Sequence, residues 1–96
     1  MALKPEEIIG KTVIVGLTFV DKNDKKIRDD DFAGQIIEIS EEKGIVIVNN
    51  DTMNAIALPP IFEAFQVAEK GYYELKKSGL KIKDPELKCI MKITQK

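Results

Sequence analysis

The chain has 96 residues, 44% of them apolar and 32% charged, with 15 basic against 16 acidic side chains. This is the composition of one globular domain spanning residues 1–96, which buries about two-thirds of the surface its unfolded chain exposes. Disordered and collagen-like classes are excluded. So is a membrane helix, because runs such as IVIV at 45–48 fall far short of the roughly 20 residues a bilayer requires.

In chain order, KPEEII (4–9) places proline first, acids in the first turn and Gly10 at the end, and predicts a short N-terminal helix. TVIVGLTFV (12–20) is rich in β-branched residues, and Val13, Val15, Leu17 and Phe19 share one strand face. DKNDKK (21–26) is polar turn chemistry that predicts a hairpin. GQIIEIS (34–40) and GIVIVNN (44–50), divided by EEK and Gly44, predict a second one. NAIAL (54–58) reads as a strand that Pro59-Pro60 must end, since proline gives the ladder no donor.

Ile61, Phe62 and Phe65 then recur at helical offsets, which predicts one helical turn near 60–66 whose aromatics plug an open barrel end. In YYELK (72–76), Tyr73 and Leu75 take one face while Tyr72, Glu74 and Lys76 take the other. LKIK (80–83) continues the alternation, and CIMKIT (89–94) turns Cys89, Met91 and Ile93 inward. The fold expected is mainly β: a small antiparallel SH3-like barrel or roll of five to seven strands. A helix-capped α+β roll is the alternative.

The residue inventory removes much chemistry. With no histidine there is no Ser-His-Asp or Cys-His catalysis and none of the usual zinc or non-haem iron sites. The single cysteine, Cys89, cannot form an internal disulfide and reads as a small apolar residue on a buried strand. The six glycines never cluster into a phosphate-binding loop. DKNDKKIRDDDF (21–32) fails as a calcium loop, with lysine where glycine is needed and phenylalanine at the last ligand position. The expectation is a non-enzymatic protein without metal or cofactor. An N-terminus lacking the features of a signal peptide, together with the unpaired cysteine, places it in the cytoplasm.

Charge is unevenly distributed: residues 1–67 carry a net −5 and residues 68–96 a net +4. In the basic part, Lys70, Lys76, Lys77, Lys81 and Lys83 surround Tyr72, an aromatic with a polar tip assigned to the outer face. These six residues form the candidate interaction surface. Its first reading is a protein-interaction module, an adaptor or inhibitor with another protein as partner. The alternative is a nucleic-acid-binding barrel using the same lysines, against which stand the acidic overall balance and the single arginine, Arg28. A homodimer through an exposed strand edge is compatible with either.

GLTFVDKND (16–24), FAGQII (32–37), ALPPIFEAFQVAEKGYYELKKSG (57–79) and DPE (84–86) resemble a family of short uncharacterised bacterial proteins. The most specific elements are Leu58-Pro59-Pro60 and the Gly-x-Tyr-x-Leu pattern at 71–75. The chain departs from the family at Asn23-Asp24-Lys25, where a glycine turn is usual, and at 89–93, where Thr and Trp are common. The resemblance implies a small β-barrel and brings no catalytic residues.

Overall fold

The computed structural model describes residues 4–76 and 78–95. A four-residue helix, α1 (Pro5–Ile8), opens the chain and seats Ile8 in the core. Eight strands follow among the described residues: β1 (Thr12–Val20), β2 (Lys26–Ser40), β3 (Gly44–Asn49), β4 (Ala55–Leu58), β5 (Phe65–Val67), β6 (Tyr72–Glu74), β7 (Lys81–Lys83) and β8 (Leu87–Thr94). Six form one sheet in the order β4-β3-β2-β1-β8-β5, and β6 with β7 makes a separate hairpin.

Three expectations are corrected. Among the described residues the strands number eight rather than five to seven, and the one not expected is β5, where Phe65–Val67 pairs with β8 in a stretch read as a helical turn. The sheet is not wholly antiparallel, since β8 runs parallel to β1 along its full length, Val13 opposite Leu87 through Val20 opposite Thr94. No ladder among the described residues joins β4 to β5, so the barrel is not closed.

The sheet nevertheless curls. Seven residue steps separate Leu58 on one edge from Phe65 on the other, about 25 Å when fully extended, and the 3₁₀ turn at Phe62–Ala64 shortens that reach. Edges of a flat six-stranded sheet would lie about 24 Å apart. The connection fits only if the edges bend toward each other, and Leu58 and Phe65 accordingly meet in one apolar cluster. Both aromatics of this connection pack on that cluster, Phe62 half-buried and Phe65 buried, although Phe65 opens β5 instead of ending a helical turn.

β2 is the corner of the fold. Its residues 26–35 pair with β1 and 34–40 with β3, so one 15-residue strand serves two partners in succession. Gly34 lies in the overlap, where a Cβ would fall 2.7 Å from Ile47 Cγ2, 2.9 Å from the Val48 carbonyl carbon and closer still to its oxygen. Only glycine lets the two backbones approach in this way. The core gathers Val13, Val15 and Leu17 with Phe32, Ile36, Ile45, Ile47, Leu87, Cys89 and Met91, as the period-two pattern requires.

A polar clamp fixes the parallel pair. The Thr12 N–H and hydroxyl both donate to Glu86 Oε1, at 3.2 and 3.5 Å, and the Glu86 N–H donates back to Thr12 Oγ1 at 3.1 Å. Lys11 Nζ lies 3.2 Å from Glu86 Oε2. These bonds hold the Glu86 carboxyl below its ordinary pKa, the Thr12 backbone donor contributing most.

Candidate interaction surface and adjacent cleft

The β6–β7 hairpin is set by its ends. At the base, the Gly71 N–H donates to Asp84 Oδ1 at 2.7 Å and the Asp84 N–H returns a bond to the Gly71 carbonyl at 2.8 Å. At the tip, the Leu75 N–H donates to the Leu80 carbonyl, and Gly79, at φ +77°, makes the tight reversal. Register places Tyr72 opposite Lys83, Tyr73 opposite Ile82 and Glu74 opposite Lys81.

Alternation then sorts the faces as expected. Tyr73 and Ile82 are half-buried, and the Tyr73 hydroxyl donates to the Glu69 carbonyl at 2.8 Å. Tyr72 is 71% exposed, with Lys83 Nζ 6.0 Å from its ring centroid, at the limit of a cation–π contact. Glu74 and Lys81 lie beside Tyr72 and complete a shallow hollow with it.

The candidate residues therefore separate. Tyr72, Lys81 and Lys83 share the outer face of the hairpin, and exposed Lys70 precedes its base. Lys76, past the end of β6, is engaged through its backbone, whose N–H donates to Asp31 Oδ2 at 2.6 Å. Lys77 lies outside the described residues.

The opposite side of the hairpin faces a cleft of about 240 Å³. Leu75, Leu80 and Ile82 form one wall, Asp30 to Ala33 of β2 another, and the β3–β4 turn a third. Leu75 is the hairpin's buried anchor. In that turn Asn49 Oδ1 accepts from the N–H groups of Asp51 and Thr52 at 2.8 and 3.3 Å. This cleft was not legible in the sequence. Asp29, Asp30 and Asp31 entered the sequence reading only in the rejected calcium-loop test, whereas they continue β2, with Asp29 opposite Thr18 and accepting its hydroxyl at 3.1 Å.

Asp29 also pairs with Lys26, whose contact holds its carboxyl below the ordinary value. No group of three or more acidic or cysteine side chains with metal-binding geometry occurs among the described residues. Burial pushes the Cys89 thiol up to about 12, which leaves it un-ionised and a poor nucleophile.

No protein-family model matches the chain, and neither a curated protein nor a solved structure shows significant similarity to it.

Proposed function

We propose that this chain is a non-enzymatic, cytoplasmic protein-interaction module, built on an SH3-like roll whose edges stay open, that presents the outer face of the β6–β7 hairpin to an acidic segment of another protein. One observation carries the reading. The most exposed aromatic of the described chain, Tyr72, stands on a hairpin outside the main sheet with Lys81 and Lys83 on the facing strand and Lys70 at its base.

An exposed tyrosine supplies contact area at low entropic cost, and lysines around it select a partner rich in carboxylates. The curl of the sheet around one core supports the roll, and the buried, un-ionised thiol of Cys89 is compatible with a reducing compartment.

The test is differential capture from nuclease-treated lysate. Wild-type protein is compared with Tyr72→Ala and with Lys81→Glu/Lys83→Glu, all checked for an unchanged folding midpoint. A partner held by wild type and at least about tenfold weaker on both variants is the expected result. Equal retention by all three removes the hairpin face from the reading. Material lost on nuclease treatment, with binding that falls steeply as salt rises, transfers the same residues to nucleic acid, for which Tyr72 would be a stacking platform.

A further inference from the structure

The hairpin has two edges as well as two faces, and the phase of its hydrogen bonds decides what the edges offer. The Asp84 N–H donates to the Gly71 carbonyl and the Leu75 N–H to the Leu80 carbonyl, each at 2.8 Å. In an antiparallel ladder, pairs that exchange hydrogen bonds alternate with pairs that do not. Tyr73 and Ile82 therefore bond across the hairpin, and the main-chain groups of Tyr72, Glu74, Lys81 and Lys83 point away from it on either side. β6 and β7 form a sheet of two strands, so no strand among the described residues lies beyond β7. Nor does any hydrogen bond among these residues engage the N–H or C=O of Lys81 or Lys83.

The free edge of β7 thus presents donors and acceptors in a row, and its side chains decide which strand can use them. Lys81 and Lys83 stand exposed on the outer face, while Leu80 and Ile82 lie on the other, Leu80 43% exposed and Ile82 half-buried. A second copy of the chain is refused, because antiparallel pairing of β7 with itself sets Lys81 directly against Lys83. The far edge of the hairpin carries Glu74 beside Tyr72 and repels an acidic strand.

An antiparallel strand that exchanges both bonds with Lys83 and then with Lys81 sets two of its own side chains beside the lysines on the outer face. Its residue between them falls beside Ile82, and the residue after them beside Leu80. The matching segment is extended and alternates acidic, apolar, acidic, apolar. We infer that the partner binds by adding such a strand to the free edge of β7. Main-chain bonds to Lys81 and Lys83 supply affinity, and the two ammonium groups with the apolar pair behind them supply selection. This rests on the acidic-partner reading above and adds to it the conformation, position and alternation of the bound segment.

The probe is acetyl-Thr-Glu-Val-Glu-Val-Thr-amide, titrated into the full isotope-labelled chain and followed by amide NMR. Saturable shifts in β7 are expected, with solvent exchange slowed at the Lys81 and Lys83 N–H groups and not at those of Tyr72 and Glu74. Methylating the two glutamate nitrogens, whose N–H groups face β7, should weaken binding at least about tenfold, since two hydrogen bonds are lost. Methylating the two valine nitrogens, which point away, should leave it within about twofold. Lys81→Glu/Lys83→Glu should release this peptide and bind its counterpart with lysine in place of both glutamates.

Failure here is distinguishable from failure of the broader reading. Binding that leaves the Lys81 and Lys83 amides in free exchange, or that tolerates methylation equally at either pair, overturns strand addition and keeps an acidic partner held by side chains alone. No saturable shift from the peptide overturns strand addition as well. The lysate capture then decides the broader reading by itself: a protein lost from both hairpin variants keeps it, and equal retention removes it.

Discussion

Two glycines in the main sheet give opposite predictions for one substitution. At Gly34 a Cβ meets the backbone and side chain of β3 at distances that atoms do not adopt, so Gly34→Ala must push Val48 away and open the ladder at the corner of β2. Overpacking of this kind costs 1–3 kcal/mol, and a lost ladder hydrogen bond adds about 1, for a total of about 2–4 kcal/mol. Gly16 lies on β1 between Asp31 and Ile90 with no atom within 4 Å of an added Cβ. Gly16→Ala removes freedom from the unfolded chain only and should be neutral or stabilise by up to about 1 kcal/mol. The gap of about 3 kcal/mol corresponds to roughly 12–24 °C in Tm for a domain of this size. Thermal melts of the two variants, followed by circular dichroism, measure it directly. If they melt within about 3 °C of each other, β3 does not press on β2 at Gly34 and the account of the corner is wrong.

Three further outcomes follow from the polar clamp, the thiol and the hairpin anchor. Glu86 has a folded-state pKa below its ordinary 4.5, so its contribution is complete above that value and lost as pH falls through the lower folded one. Tm should be flat from pH 7 to about 5 and decline below about 4.5, and Glu86→Gln should lower the plateau and shrink the decline; an identical acid profile in the variant would argue against the clamp. Cys89, buried with a thiol near 12, should react with an aromatic disulfide reagent only at the rate of unfolding, and immediate labelling of native protein contradicts its placement. Leu75→Ala should cost about 2–4 kcal/mol, read as lost hydrogen-exchange protection in residues 72–83 while β1 and β8 keep theirs; uniform loss would mean that the hairpin and sheet unfold as one unit.

Period-two alternation exposed much of this fold to a reader of the sequence. Val13, Val15 and Leu17, and Cys89, Met91 and Ile93, lie on the predicted inner faces, and Tyr72 and Tyr73 divide between outer and inner sides as their spacing demands. Strand direction was not legible. Nothing in CIMKIT distinguishes a parallel from an antiparallel neighbour, and the residues that fix the choice, Thr12 and Glu86, lie 74 positions apart. The reach of β2 was hidden for a related reason. IRDDD has poor strand propensity alone and is extended because β1, nine residues long, holds it as a partner. The cleft required both facts at once, since its acidic wall is that extension and its apolar wall is the hairpin.

Among the described residues the hairpin is tied to the rest of the chain by the Asp31–Lys76 bond, the Tyr73 hydroxyl on the Glu69 carbonyl and the burial of Leu75, while the Gly71–Asp84 pair closes its own base. The main sheet, by contrast, is fixed by long ladders on β1 and by the Glu86 clamp. Segments with few buried apolar contacts open at lower free energy than the core, and binding elements are drawn from that end of the scale. Tyr72 and the apolar wall of the cleft lie on opposite sides of the same element. A partner that binds at Tyr72 must therefore remove the hairpin's freedom, and its binding should raise hydrogen-exchange protection in β6 and β7 more than in β1. Unchanged protection in β6 and β7 at saturation would mean that the hairpin is already rigid before the partner binds.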